Sequence, residues 1–213
     1  MRNKFAPSAA TSRQAIAARI GLIAGLCLAF GSAPADARAG KTLAALQQEP
    51  SARLDGVDLL LNGAGLRNFL FLDVYVIALY LPQRASDTRA VLNNDLPRRV
   101  RITLLRDASA ERDLEFLLEG LKLNNTPDEL AAIQLQLDHF LRMIRSLGTI
   151  PKGSYVQLDY LPHAGTRVWL NQRLLGNIPG TAFNRSLLKV WLGDQPTQAS
   201  LKRALLGEAD EAF

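Results

Sequence analysis

The chain has 213 residues, of which 48% are hydrophobic, 21% charged and 7% aromatic, a composition typical of a globular protein with one domain or two small ones. Its formal charge of +5 falls to +2 without residues 1–37, because that segment holds four basic residues and one acidic residue. So small a charge, with no basic patch interleaved with aromatic residues, does not indicate nucleic-acid binding.

Residues 1–37 have the three-part pattern of a secretory signal peptide. A basic leader precedes the uncharged apolar segment Ile20–Phe30, and small residues in an Ala-x-Ala pattern follow. The apolar segment has 11 residues, whereas a membrane-spanning helix needs about 20. We therefore predict export to the periplasm, with cleavage after Ala37 or Ala35 and no integral membrane span afterwards. The alternative is an N-terminal membrane anchor. The only cysteine, Cys27, lies in this segment, so the mature chain would contain no thiol.

A single domain over residues 54–213 is predicted to follow a polar N-terminal arm at 38–53, because no linker or repeat interrupts it. The first elements are two strands, Gly56–Leu61 and Phe69–Leu81, joined by a glycine-rich turn at Asn62–Gly65. The second strand is almost continuously apolar, which is typical of a central strand covered on both faces.

Helical patterns dominate the middle of the chain. A short helix is predicted at Ser86–Leu92 with Ser86 as its N-cap, followed by an alternating strand at Arg99–Leu105. Ala110–Leu123 carries leucines on one face. A second long helix begins with a capping box at Thr126–Glu129 and continues to Gly148.

The last third predicts a three-stranded meander and two terminal helices. The strands are Tyr155–Leu161, Thr166–Leu170 and Arg173–Ile178, and the helices are Ala182–Leu192 and Ser200–Leu206. The order of strands and helices predicts the α+β class, with a large antiparallel sheet covered by helices on one face.

Motifs for cofactor or metal chemistry are absent from the sequence. It has no glycine-rich nucleotide loop and no nucleophile elbow. The two histidines, His139 and His163, lack a third ligand at metal-binding spacing. No cofactor is expected, and we interpret Asp113, Glu115 and Glu119 as the solvent face of their helix.

Three polar residues near the apolar strand remain as candidates for function. Asp73 interrupts that strand, so it needs a partner or an edge position. Tyr75 lies two residues further and faces the same side. An arginine such as Arg67, at the mouth of an apolar pocket, could bind a carboxylate through two parallel hydrogen bonds. Spacing alone leaves the alternatives open and favours a structural Arg67–Asp73 ion pair or simple exposure.

Several segments, in this order and spacing, resemble the chalcone isomerase-like family over about residues 55–207. Asn62–Arg67 and the end of the apolar strand are similar to the G-G-A-G-x-R and G-V-Y-L blocks of plant chalcone isomerases, and the other segments to the family's last helices and to its exported bacterial branch. The resembling segments are Asn62–Arg67, Ala78–Leu81, Asp159–Tyr160, Gly165–Thr166, Gly176–Gly180, Asn184–Leu188, Trp191–Asp194 and Ser200–Arg203.

The resemblance implies an open-faced β-sandwich, in which a layer of helices covers a large antiparallel sheet. The family includes true isomerases, noncatalytic homologues and fatty-acid-binding forms. Among the catalytic residues of the isomerases, only the arginine matches, as Arg67. The strand threonine falls at Tyr75, the helix tyrosine near Arg112, the helix asparagine near Glu119 and the late threonine at Val190.

In the fatty-acid-binding forms an arginine and a tyrosine hold the ligand carboxylate, and Arg67 with Tyr75 or Tyr80 resembles that pair. The leading hypothesis is therefore a noncatalytic periplasmic protein that binds a fatty acid or similar amphipathic acid between sheet and helices. The ligand-binding candidates are Arg67, Tyr75, Tyr80 and Asp73. One alternative is an isomerase or lyase acting on an unsaturated carbonyl compound. Another is a noncatalytic interaction protein whose pocket has collapsed.

Overall fold

A seven-stranded antiparallel sheet organises residues 48–208, the part of the chain that the computed structural model describes. The predicted signal peptide and most of the predicted arm lie outside the described residues. The strands are β1 (Ser51–Leu54), β2 (Val57–Phe69), β3 (Leu72–Leu81), β4 (Arg98–Leu104), β5 (Ala108–Ser109), β6 (Thr149–Ile150), β7 (Tyr155–Leu161), β8 (Gly165–Leu170) and β9 (Arg173–Ile178). The helices are α1 (Thr88–Asn93), α2 (Ala110–Asn124), α3 (Pro127–Ala132), α4 (Gln134–Arg145), α5 (Thr181–Leu192) and α6 (Ala199–Leu205).

The strand order in the large sheet is β1-β2-β3-β4-β7-β8-β9, and every neighbouring pair is antiparallel. Helices α2, α3 and α4 lie in the connection between β4 and β7, and the two-stranded pair β5-β6 brackets that connection. This arrangement confirms the predicted α+β class and the predicted meander.

The predicted turn at Asn62–Gly65 is wrong, because these residues lie inside β2. A Cβ atom on Gly63 would lie 1.9 Å from the backbone oxygen of Ala204, so glycine is needed there for the close approach of α6. The strand pair turns instead at Leu70 and Phe71. The predicted start of the central strand is therefore the tip of a hairpin.

The observed ends of several helices and strands differ from the predicted ones. Asp87, rather than Ser86, caps α1, since its side chain accepts a hydrogen bond from the Ala90 amide. The predicted capping box at Thr126–Glu129 is confirmed, but the helix it starts is broken at Ile133, whose backbone lies outside the helical region while its side chain is buried in the core. Strand β1 falls at the end of the predicted arm.

The two faces of the sheet have separate cores, set by the alternation along β3. Ile77 and Leu79 belong to the main core beneath the helices, whereas Ala78 and Tyr80 belong to a smaller cluster with Leu59. Helix α5 is buried along most of its length against the main core. Within residues 48–208, no helix is both long and apolar enough to cross a bilayer.

Candidate functional site

A cavity of about 190 Å³ lies between the sheet and the helices of the main core. Strands β3, β4 and β7 supply one wall, and α2, α4 and α5 supply the other. Most of its surface is apolar. Its apolar lining includes Leu114, Leu117, Phe140, Ile144, Leu158 and Leu187.

Polar side chains line the cavity near the end where β2 finishes, β3 begins and β4 finishes. Arg67 and Tyr75 come from β2 and β3, and the structure brings both to this cavity; their joint binding of a ligand stays a prediction. Arg106, Asp113 and Thr197 join them from the segment after β4, from α2 and from the segment before α6. The cavity therefore has an apolar wall and a polar edge, as a site for an amphipathic molecule requires.

Arg67 lies directly opposite Tyr75 in the pairing of β2 with β3. Its Nη1 donates to the side-chain oxygen of Gln198 at 3.2 Å and to the backbone oxygen of Asn68. Gln198 also accepts from the Asn68 amide at 3.0 Å, so it joins α6 to this part of the hairpin. Within the described residues, Nε and Nη2 of Arg67 make no hydrogen bond. One edge of a positioned guanidinium is therefore left for an anion.

Tyr75 is oriented by the indole of Trp191, whose Nε1 donates to the phenolic oxygen at 2.9 Å. Burial raises the pKa of the Tyr75 phenol, while Trp191, Arg67 and Thr197 act in the opposite direction. The phenol therefore keeps its proton at neutral pH and can donate it in a hydrogen bond. The Thr197 hydroxyl lies nearby, is buried and makes no hydrogen bond of good geometry within the described residues.

Sequence reasoning missed the pair formed by Arg106 and Asp113. Nη2 of Arg106 lies 3.7 Å from a carboxylate oxygen of Asp113, and Nε of Arg106 is buried without a hydrogen-bond partner in the described residues. Burial raises the pKa of Asp113, although Arg106 lowers it. The prediction that Asp113 faces solvent therefore holds only in part, because its side chain is 35% exposed but also lines the cavity. A signal was present, since Asp113 lies four residues before Leu117 and shares its face of the helix.

Two predicted ligand-binding residues lie away from this cavity. Tyr80 is five positions after Tyr75, and an odd separation along a strand puts the two on opposite faces; Tyr80 is buried in the other core. Asp73 lies beside the hairpin tip, where it accepts a hydrogen bond from Asn68 at 2.9 Å. Neither side chain lines the cavity.

The positions matched to the isomerase's catalytic residues are equally dispersed. Arg112 and Glu119 are exposed on α2, so their side chains do not reproduce an array of polar groups in the cavity. Val190 does line the cavity but adds only an apolar surface. Asp113 and Leu117 are the residues that α2 turns toward the space.

Comparison with known proteins relates this chain to one family. A sequence model described as chalcone isomerase-like matches residues 40–207. The crystal structure of a fatty-acid-binding protein from Arabidopsis thaliana superimposes with a TM-score of 0.58 and 17% sequence identity, covering 74% of this chain and 90% of that chain. At this identity the likeness is one of fold. No curated protein matches the sequence.

Proposed function

The chain belongs to the chalcone isomerase-like family, and from that premise we propose that it is an exported, noncatalytic protein that binds a fatty acid or similar amphipathic acid. The observation that carries this proposal is the cavity of about 190 Å³, whose apolar wall ends at Arg67 and Tyr75. A purely structural homologue would be expected to have a collapsed pocket, whereas the main core contains this open cavity.

The apolar wall would supply most of the affinity. Burial of an acyl chain contributes about 0.8 kcal/mol for each methylene group. The volume is larger than the roughly 150 Å³ cavity known to hold benzene, yet smaller than the roughly 300–1,000 Å³ of sites for drug-sized ligands. A short chain therefore fits as the cavity stands. A longer one would extend past Phe69 and Phe116, which line the cavity and are 46% and 44% exposed.

The polar edge would supply the preference for an acid over an alcohol or ester. The free edge of Arg67 can donate two parallel hydrogen bonds to a carboxylate. Tyr75, protonated and oriented by Trp191, would donate another. An alcohol gains little from the guanidinium, because its neutral oxygen does not form a charge-assisted pair.

The proposal is tested by titrating a medium-chain fatty acid and the matching alcohol into wild type and variants. A charge-assisted hydrogen bond contributes about 1.5–3 kcal/mol, so Arg67→Ala should weaken binding of the acid roughly 10- to 100-fold. Arg67→Lys should restore part of this, because an ammonium group lacks the planar fork. Tyr75→Phe should cost about 0.5–1.5 kcal/mol. The alcohol should bind wild type and Arg67→Ala about equally.

Matched controls come from the same chain. Arg89→Ala removes an exposed arginine on α1, and Tyr80→Phe removes a phenol on the other face of the sheet. Both should bind the acid as wild type does. If Arg67→Ala also binds the acid as tightly as wild type, the assignment of the carboxylate site is wrong and Arg67 is a structural residue.

A second candidate function, an isomerase or lyase acting on an unsaturated carbonyl compound, has one observation in its favour. Arg67, Asp113, Trp191 and Thr197 all influence the Tyr75 phenol, so an anion-binding guanidinium, a phenol and a carboxyl group share one site. We nevertheless expect no turnover of a hydroxychalcone above background, because the family's helix tyrosine and asparagine have no counterpart in the cavity. Turnover by wild type that Tyr75→Phe abolishes would favour the enzyme instead.

A further inference from the structure

The tip of the β2–β3 hairpin is unusually apolar for an exposed turn. Phe69, Leu70, Phe71 and Leu72 follow one another and are 46%, 79%, 85% and 59% exposed. Hairpin turns ordinarily contain Gly, Asn, Asp or Ser, whose side chains bond to the local backbone or tolerate its conformation. The turn itself therefore does not explain four consecutive large apolar side chains with so much exposed surface.

The backbone conformation at the tip is also unfavourable for the residue that occupies it. Leu70 has a φ of 55°, in the left-handed region that favours Gly and Asn and that is unfavourable for a bulky side chain. Gly or Asn at this position would form the turn with less strain. The leucine side chain contributes nothing to the described cores, since most of its surface is exposed.

The apolar surface of the tip continues into the candidate binding cavity. The ring of Phe69 packs against that of Phe116 on α2, with 5.6 Å between ring centroids, and both residues line the cavity mouth. An acyl chain passing from the tip to the cavity wall would therefore stay in contact with apolar side chains.

We propose that this hairpin tip, Phe69–Leu72, is a membrane-docking element that inserts into the outer part of a lipid bilayer. The acid would then move between bilayer and cavity without crossing water. The transfer of the acid rests on the proposed function, whereas membrane docking of the tip does not.

Three features favour a bilayer over a protein partner. The tip is an exposed hairpin turn rather than a groove, and its side chains carry no polar group with which a specific protein surface could be recognised. Its length suits shallow insertion, because an element lying in the interface buries its apolar side chains about 5–10 Å deep and a strand rises about 3.3 Å for each residue. Arg112 is exposed four residues before Phe116, hence on the same side of α2. It places a positive charge behind the tip, where lipid phosphate groups would lie, while the carboxylate of Asp73, which follows the tip, accepts a hydrogen bond from Asn68.

The test uses the purified protein and vesicles that contain no fatty acid, made of phosphatidylcholine alone or with phosphatidylglycerol. Wild type should float with both kinds of vesicle, and binding to the neutral ones should persist at raised salt, because apolar insertion is not screened. Leu70→Asp and Phe71→Asp should each lower the vesicle-bound fraction by about tenfold or more, since a charge must enter the interface. The matched control is Leu135→Asp on α4, where the leucine is 82% exposed and does not line the cavity. It should change binding less than about twofold.

Two further measurements make the outcomes distinct. Circular dichroism and titration of a soluble medium-chain acid should be unchanged in the tip variants, which shows that fold and cavity are intact. Transfer of a fluorescent acid from vesicles should accelerate with vesicle concentration for wild type but not for the tip variants. Equal vesicle binding by wild type and tip variants overturns the docking proposal, as does self-association of wild type through the tip without vesicle binding. Vesicle binding without any acid binding contradicts the proposed ligand instead.

Discussion

Asp113 brings a carboxyl group into a cavity proposed to bind a carboxylate. Its neighbour Arg106 offsets part of the repulsion that a bound anion would meet. Burial nevertheless raises the pKa of Asp113, because removal of the ionised group from water outweighs the attraction to Arg106. At the residue scale, the site therefore contains a charge whose presence is unfavourable in the folded protein at neutral pH.

We expect Asp113→Asn to stabilise the protein at pH 7. The pKa of this carboxyl group is higher in the folded state than in the unfolded chain, so its contribution to stability is fully present below the unfolded pKa and is lost as pH rises through the folded pKa. The neutral amide is not subject to this loss. Because the side chain is 35% exposed, solvent screening should keep the gain within about 1 kcal/mol. Urea unfolding should show the gain at pH 7 and its decline toward pH 4.

Asp58→Asn is the control for this effect, because Asp58 faces Arg53 in an exposed pair in which both side chains are mostly in solvent. It should change stability little at either pH. Destabilisation by Asp113→Asn at pH 7, with Asp58→Asn unchanged, would show that the attraction to Arg106 outweighs burial. The same variant should bind a fatty acid slightly more tightly if the ligand carboxylate lies at this edge.

At the scale of elements, strand β2 and helix α6 meet closely enough to determine the sequence of both. Gly63 approaches the backbone of Ala204, and Gly65 approaches the side chains of Leu201 and Ala204. Asn62 donates to the Leu205 oxygen at 2.7 Å, which fixes the end of α6 against the strand. Since Gln198 at the start of α6 holds Arg67, this contact also positions the candidate site.

Gly63→Ala should therefore destabilise the protein strongly and weaken acid binding as well. The added Cβ would lie 1.9 Å from a backbone oxygen that cannot rotate away, and overpacking of this kind costs about 1–3 kcal/mol. We expect the upper end of that range in urea unfolding, with weaker acid binding because α6 must shift. Gly153→Ala is the comparison: its φ of 83° makes alanine strained, but the space around it is empty. It should cost about 1 kcal/mol and leave acid binding unchanged. Equal effects of the two substitutions on binding would contradict the link between α6 and Arg67.

These contacts show why some elements can be predicted from sequence and others cannot. The capping box at Thr126–Glu129 and the meander follow from residues close together in the chain, so local pattern suffices. Asn62–Gly65 resembles a turn by composition, whereas the reason for its glycines lies in Ala204, far along the chain. The sequence predicts Arg67 and Tyr75 as one candidate site. The alternation of side chains along β3 excludes Tyr80 from the same face as Tyr75. Arg106 and Thr197 reach the cavity only through tertiary packing and had no local signal.

At the scale of the whole molecule, one end of the sheet holds the cavity mouth and the apolar hairpin tip. Arg67 and Arg106, which line the cavity, lie toward the same end. The rest of the cavity is lined by aliphatic and aromatic side chains, several of which belong to the main core. An acid entering from the tip would place its chain in the core and its carboxylate at the edge, beside Arg67 and Tyr75. This polarity suits a protein that exchanges a lipid with a membrane surface.

We propose that residues 1–37 direct export of the protein and are then removed, which would bring it to membrane surfaces outside the cytoplasm. Expression of the full chain in a bacterium with an outer membrane should yield a periplasmic protein whose N-terminus, determined by sequencing, lies near Arg38. Leu26→Arg places a charge in the middle of the apolar segment Ile20–Phe30 and should leave an uncleaved precursor in the cytoplasm, because the segment no longer suits the export machinery. Leu46→Arg makes the same substitution outside that segment and should be exported normally. Wild-type protein that retains Met1 and remains in the cytoplasm would overturn the proposed export, while a cytoplasmic-membrane protein that retains Met1 would indicate an N-terminal anchor.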